Sequence, residues 1–166
     1  MEQKRSEGME RVNGIWRHPR YQECVKRIQE LEADRRFCRH TPEHFLDVAR
    51  LAWILALESG VSLDRELVYG AALLHDIGRH LQYEKGIPHE EASAGIAEEI
   101  LRDCGFSREE SETILQAIRG HRTRQEGKDF PALLYRADKL SRSCFSCPAK
   151  AECNWPKDKK NLDIVF

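Results

Sequence analysis

Apolar residues recur at three- and four-residue spacing along nearly the whole chain, and no stretch alternates with a period of two over a strand's length. This periodicity predicts an all-α fold. Tyr21, Cys24, Val25, Ile28 and Leu31 recur at helical spacing and predict a first helix from Tyr21 to about Asp34. Thr41 stands as N-cap of the next, with Pro42 at its first position. Its inward face carries His44, Val48, Leu51, Ala52 and Leu55, and Gly60 ends it. Ser62 is expected to cap a third helix, with Asp64 and Glu66 suited to the dipole of its first turn. That helix runs through Leu67, Ala71 and Leu74 to a stop at Gly78. A loop over about Leu81 to Pro88 leads into a fourth helix from His89 to about Cys104, ended by Gly105. Ser107-Arg-Glu-Glu110 has the pattern of a capping box and opens a fifth helix through Ile114, Ala117 and Ile118. Gly120 to Lys128 reads as a loop, and Phe130 to about Arg142 as a sixth helix.

The residues before about position 18 lack strong periodicity, and the tail from Ser143 onward is rich in Cys, Pro and Lys. The expected organisation is therefore a lead-in over 1–20, a helical domain over 21–142 and an irregular Cys-rich tail over 143–166. A chain of 166 residues fits one compact domain that buries roughly 70% of its unfolded surface. Lys and Arg number 27 and Asp and Glu 28, a formal charge of -1, which argues against a dedicated nucleic-acid binder. The longest dense apolar run, Leu51 to Leu57, is far short of the about 20 residues that a membrane span needs. Residues 1–8 contain no apolar segment of the kind a signal peptide requires. These features set the expectation of a cytoplasmic protein, whose six cysteines are core residues or metal ligands before they are disulfides.

Seven histidines occur, and several fall on apolar helical faces or at helix ends. His75-Asp76 follows the apolar run Val68 to Leu74, so the pair is expected to be buried. A buried carboxylate beside a buried imidazole is costly unless its charge is compensated. A single such pair is explained by a hydrogen bond within a core. Here the same types recur: His44 shares a face with Val48 and Leu51, and His89 starts a helix. His121 follows Ile114, Ala117 and Ile118, and Asp138 lies on the core side of the last helix. Four histidines and two aspartates at buried positions are hard to satisfy without a divalent cation, which takes nitrogen from neutral imidazole and charge from carboxylate.

The ordered segments that carry these residues resemble the HD-domain superfamily of metal-dependent phosphohydrolases. They are His44-Phe-Leu-Asp-Val-Ala-Arg-Leu-Ala52, Leu74-His-Asp-Ile-Gly-Arg79 and Tyr135-Arg-Ala-Asp138. His89-Glu-Glu-Ala-Ser-Ala-Gly95 and Ala117-Ile-Arg-Gly-His121 are similar to the six-ligand branch of that superfamily. The likeness spans about residues 40 to 142 and implies an HD-type helical bundle. It implies that His44, His75, Asp76 and Asp138 hold one metal, with Asp76 bridging to a second that His89 and His121 complete. It further implies a hydroxide formed on the metals, which attacks phosphorus in a phosphoester or phosphoanhydride of a nucleotide-like small molecule. Two divalent ions are expected, with Fe or Mn favoured and Zn, Co, Mg or Ni also suited to the ligand set. Many relatives have Lys where this chain has Arg79, which can clamp phosphate in bidentate fashion beside Asp76. The Gly-Tyr-Pro signature of the cyclic-dinucleotide branch is absent after His121. Arg122, Lys139 and Arg142 are candidate phosphate-binding residues, whereas Arg119 and Arg124 read as solvated charges nearby. His40, four residues before His44, is expected just outside the helix, in a structural or surface role or as a contact to the ligands or the substrate, and His18 and His80 at the surface.

The same ligand set would also suit a di-iron oxygenase of this fold, or a non-catalytic metal-binding or signalling module. A separate feature is the run Cys144-Phe-Ser-Cys147-Pro-Ala-Lys-Ala-Glu-Cys153. Its C-x2-C pair suits thiolate coordination, and Cys38, which precedes the first ligand helix, is the candidate fourth ligand. Zinc or an iron–sulfur cluster would fit there, against reduced thiols in an irregular tail. Cys24 and Cys104 read as plain core residues.

Overall fold

Five of the α-helices begin where a side chain accepts from their free N–H groups. In the computed structural model, which describes residues 8–123 and 126–166, Thr41 Oγ1 accepts from the His44 N–H and opens α3 (Pro42–Ser59). Gly60 closes it in the left-handed conformation, with φ of 66°. Asp64 caps α4 (Arg65–Leu74), Ser107 and Glu110 form the capping box of α7 (Arg108–Gly120), and Asp129 caps α8 (Phe130–Leu140). The remaining α-helices are α1 (Glu10–Arg17), α2 (Pro19–Leu31), α5 (Arg79–Lys85) and α6 (His89–Asp103). Two 3-10 turns, Cys144–Ser146 and Lys157–Lys159, are the only helical pieces of the tail. No strand occurs among the described residues, so the all-α expectation holds.

The structure departs from the sequence expectations in four places. The third helix starts on Asp64 rather than Ser62, because the Asp64 carboxylate accepts from the N–H groups of both Glu66 and Leu67. The segment expected as a loop before Pro88 is largely α5, closed by Gly86 with φ of 69°. The lead-in contains α1, whose Val12 and Ile15 are buried in the core. Arg11 fastens it by pairing with Glu66 at 2.6 Å and Glu110 at 2.8 Å while its guanidinium lies over Phe106. His18 caps α2, accepting from the Arg20 N–H, and His80 is buried with its Nδ1 3.1 Å from the Ile77 carbonyl, so neither is an ordinary surface histidine. Residues 1–7 of the lead-in and Arg124 lie outside the described residues.

α3 packs on α4 and α8, α7 on α4, α6 and α8, and α5 on α2 and α6. Tyr21, fully buried in α2, ties the outer helices to the centre by donating its hydroxyl to the Leu73 carbonyl at 3.0 Å. Among the described residues no helix is long and apolar enough to cross a membrane.

Gly78 sets the distance between the turn after α4 and α6. A Cβ there would stand 2.4 Å from the Ser93 nitrogen and 2.6 Å from the Ala92 carbonyl carbon. The Gly78 N–H also donates to Ser93 Oγ at 2.9 Å in the buried interior. Gly78→Ala is expected to force the two backbones apart and to destabilise by at least the about 1–3 kcal/mol typical of overpacking. Gly95→Ala, on α6 with open space at its Cβ, is expected to stabilise by about 0.5–1 kcal/mol. Urea unfolding of the two variants beside the wild type checks both signs.

Candidate metal centre

Helix termini bring six polar side chains to one place. His44 lies in the first turn of α3, His75 and Asp76 in the turn that follows α4, and His89 at the first position of α6. His121 follows the last residue of α7, and Asp138 sits in the last turn of α8. All six are buried. Donor atoms of His44, His75, Asp76 and Asp138 lie within 4.8 Å of one another, and so do those of Asp76, His89 and His121. Asp76 belongs to both groups and divides its oxygens between them. Its Oδ2 lies 3.2 Å from His75 Nε2 and 4.0 Å from His44 Nε2. Its Oδ1 lies 3.3 Å from His89 Nε2 and 3.9 Å from His121 Nε2. Asp138 Oδ1 completes the first group, 3.2 Å from His44 Nε2 and 3.6 Å from His75 Nε2.

The backbone aims the imidazoles. His75 Nδ1 lies 2.6 Å from the Ala72 carbonyl, and His121 Nδ1 2.5 Å from the Ile118 carbonyl. Both carbonyls belong to the last turn of a helix, where they have no partner within it. A carbonyl only accepts, so Nδ1 carries the proton and Nε2 faces the cluster. His44 is held similarly, with Nδ1 3.2 Å from Ser141 Oγ. Within the cluster, His75 Nε2 and Asp76 Oδ2 are buried and make no hydrogen bond, whereas His89 Nδ1 and Glu90 Oε2 face each other at 3.3 Å outside it. Unsatisfied buried polar atoms cost about 1–3 kcal/mol each. Imidazole nitrogens and carboxylate oxygens gathered in this way fit a divalent cation.

Electrostatics within the cluster divide the histidines. Burial pushes His44 down to about 4 and His89 down to about 3, so both are neutral near pH 7. Burial also acts to lower His75, but the carboxylates of Asp76 and Asp138 outweigh it and raise the group to about 10. Both carboxylates lie well below their ordinary range. Burial opposes this, and it is overcome by His75 and Arg79 at Asp76, and by His44 and His75 at Asp138.

His40 is buried beside the site rather than at the surface, with Nε2 3.6 Å from Asp76 Oδ2. Glu32 holds it from behind. The Glu32 carboxylate lies 2.5 Å from His40 Nδ1, accepts from the His40 N–H at 2.7 Å and accepts from the Tyr83 hydroxyl at 2.6 Å. The H-x3-H spacing of His40 and His44 was a signal for this placement, whereas Glu32 and Tyr83 lie in segments with no local signal.

Arg79 Nε donates to Asp76 Oδ1 at 3.1 Å, and Lys139 Nζ donates to Asp138 Oδ2 at 3.2 Å. Arg142 donates to the Arg39 carbonyl at 2.8 Å, and its Nη2 lies 3.2 Å from His44 Nε2. These three cations line a cavity of about 300 Å³ together with Arg35, Phe37 and Trp155, and Asp138 and His40 form part of its wall. Arg122 is not in that wall; it is exposed, 3.5 Å from Glu90 Oε2. Cys38 and Cys153 line the same cavity, Cys144 is buried and Cys147 half-buried. Among the described residues the cysteines form no group with three sulfurs within 4.8 Å of one another.

Burial pushes Glu32 up, but the contacts to His40 and Tyr83 outweigh it and hold the carboxyl at about 2, below its ordinary 4.5. A carboxyl depressed by folding stabilises fully above its unfolded value and loses that contribution as pH falls through its folded value. Glu32→Gln is therefore expected to be less stable than the wild type at neutral pH. The difference should shrink between about pH 4.5 and about 2 in urea midpoints measured across that range.

The HD domain family model matches residues 41–149. An uncharacterized protein of Clostridium beijerinckii is 47% identical over 158 residues, which cover 95% of this chain and 100% of that protein. Ribonuclease Y of Sulfurovum sp. is 34% identical over 124 residues, 74% of this chain and 22% of the enzyme. Ribonuclease Y of Pseudothermotoga lettingae is 35% identical over 115 residues, 69% of this chain and 20% of the enzyme. The chain thus spans about a fifth of the length of those ribonucleases. The crystal structure of a "predicted HD superfamily hydrolase" from an uncultured Thermotogales bacterium matches 91% of this chain and 87% of that one, with a TM-score of 0.60 and 24% identity, a likeness of fold. With two-thirds of its length matched by the family model and the His/Asp cluster assembled at the helix ends, the chain belongs to the HD domain family.

Proposed function

We propose that the protein is a metal-dependent phosphohydrolase that cleaves a phosphoester or phosphoanhydride in a nucleotide-like small molecule, in a cytoplasmic setting. The observation that carries this reading is the division of Asp76, whose two oxygens face two separate groups of ligand atoms. One carboxylate shared in this way suits two divalent cations, whose mutual repulsion it screens. Fe and Mn are favoured, and Zn, Co, Mg and Ni also fit the donors. When bound, such ions supply a water deprotonated near neutral pH and positive charge for the phosphoryl oxygens.

The chain's own residues do the rest. His44, His75, Asp76 and Asp138 hold one ion, and Asp76, His89 and His121 the other. Arg79, Lys139 and Arg142 present cationic donors to the cavity wall, where they bind and orient the phosphates. Trp155 and Phe37 on the same wall give a flat apolar surface for a base. A cavity of about 300 Å³ is at the small end of the range for ligand sites, which favours a mononucleotide over a larger ligand. Arg122, paired with Glu90 and exposed, serves only a longer substrate that crosses the rim. Glu32 and Tyr83 orient His40 beside Asp76, next to the ligand set.

The test is elemental analysis of protein purified without chelators, followed by a nucleotide panel with Mn, Fe, Co and Mg. A short oligoribonucleotide belongs in that panel, because the ribonuclease Y relatives are named for action on RNA. Phosphate release without oxygen uptake is expected. Oxygen consumption with a phosphate-free substrate in iron-loaded protein would favour the oxygenase alternative and overturn this reading. Absence of turnover with every metal would leave a binding module. Asp76→Ala is expected to lose both metal loading and turnover, since it removes the shared ligand. Arg79→Ala is expected to keep its metals while kcat/KM falls about 10²–10³-fold, the usual loss for one charge-stabilising donor. Metal content and kinetics on the two variants separate these roles.

A further inference from the structure

The four histidines of the centre are not supported alike. Nδ1 of His75 and Nδ1 of His121 each lie against a backbone carbonyl, at 2.6 and 2.5 Å, and Nδ1 of His44 lies 3.2 Å from the Ser141 hydroxyl. These three partners are uncharged. His89 alone among the four has a carboxylate behind it, with Glu90 Oε2 3.3 Å from its Nδ1. Both atoms are buried, and neither is hydrogen-bonded to another group. Their separation is about 0.3 Å beyond the usual N–H···O length, and a proton on Nδ1 joins them. With Nδ1 protonated, the lone pair of His89 is on Nε2, which faces Asp76 Oδ1 at 3.3 Å.

Glu90 is itself held in place. Its Oε2 lies 3.5 Å from Nη1 of the exposed Arg122. Arg122 directly follows His121, as Glu90 directly follows His89. The two histidines of one ligand group, whose Nε2 atoms stand 3.4 Å apart, are thus cross-tied by their sequence neighbours. Arg119 and Glu91 repeat the tie between α7 and α6 nearer the solvent, at 3.7 Å with both side chains exposed. The same ligand group is short of negative charge. His44, His75, Asp76 and Asp138 include two carboxylates, whereas Asp76, His89 and His121 include one, which is shared. A divalent ion at the second position therefore meets the weaker field unless another carboxylate stands close by.

We infer that Glu90 is a positioning residue for the second ion: it holds His89 through Nδ1 and lends the Asp76, His89 and His121 position the negative charge that its own ligands lack. This rests on the two-ion reading proposed above and goes beyond it, because it makes the two positions unequal. The position formed by His44, His75, Asp76 and Asp138 relies on the Ala72 carbonyl and the Ser141 hydroxyl instead, and keeps its affinity when Glu90 is changed.

The experiment is titration of the metal-free full chain with Mn²⁺, read by calorimetry and by electron paramagnetic resonance. The wild type is expected to bind two ions, with a spin-coupled spectrum once both positions are filled, since such ions lie about 3.5–4 Å apart. In Glu90→Gln one ion binds as in the wild type and the other about 10–100-fold more weakly, the usual effect of removing a group behind a ligating histidine. Over the same range of Mn²⁺ this variant shows the spectrum of isolated ions. His89→Ala loses the same ion outright, which assigns the position. Glu91→Gln, which removes the neighbouring exposed carboxylate, keeps both affinities. Glu90→Asp, with its carboxylate withdrawn by one methylene, falls between wild type and Glu90→Gln and gives a second measure should the glutamine variant unfold. Wild-type affinities at both positions in Glu90→Gln and Glu90→Asp overturn the inference, and so does an equal loss at both positions, the mark of a merely structural role. A wild type that binds a single ion instead refutes the two-ion reading, and this inference with it.

Discussion

The organisation of this protein depends on one buried carboxylate. Asp76 is almost wholly removed from solvent, and burial alone would drive a proton onto it. Five histidine nitrogens and the Arg79 guanidinium surround its two oxygens, and His75 and Arg79 above all keep it charged. Each of those partners comes from a different helix end or connecting turn, so the bundle must bring its termini together at one place. The hydrophobic packing of α3, α4, α6, α7 and α8 positions those termini, and the free carbonyls of the last turns of α4 and α7 orient the rings. Fold and site are in this sense solved by the same set of helix ends.

The six clustered His and Asp residues were legible because they break a pattern that is otherwise regular. A polar residue on an apolar helical stripe is visible in the sequence, and five such interruptions in order point to convergence. Thr41, Gly60 and the Ser107–Glu110 box were legible for a similar reason, since capping chemistry is local. What stayed hidden was tertiary. The α1 helix has few apolar positions, and beside the buried Val12 and Ile15 it is fastened by Arg11, whose partners lie on α4 and at the start of α7. α5 is seven residues long, too short to display a period. Glu32 sits in a charged stretch that reads as solvated surface, and only the folded chain shows it buried between His40 and Tyr83. His80 was hidden for the same reason: no local signal says that α5 turns it inward.

The cation-lined cavity joins features that lie far apart in sequence. Arg35 and Phe37 arrive from the loop after α2, Arg79 from the start of α5, Lys139 and Arg142 from the end of α8, and Trp155 from the tail. The HD domain provides the ligand cluster, and the flanking segments provide much of the wall through which a ligand would reach it. Under the function proposed above, the loop and the tail would tune what enters this cavity while the His/Asp cluster stays as it is. That arrangement agrees with a family whose members share one helical scaffold, including ribonucleases of which this chain matches only about a fifth.

The close contact at Gly78 has a mechanical meaning for the centre. Asp76 and His75 lie two and three residues before that glycine, and His89 lies one turn before the stretch of α6 that it approaches. The two segments lie too close for a Cβ between them, and the Ser93 hydroxyl ties them together through the Gly78 N–H. The separation of the two ligand groups is thus gauged by backbone against backbone. Replacing one donor type with another would retune which ion is preferred, yet leave the spacing between the two positions unaltered.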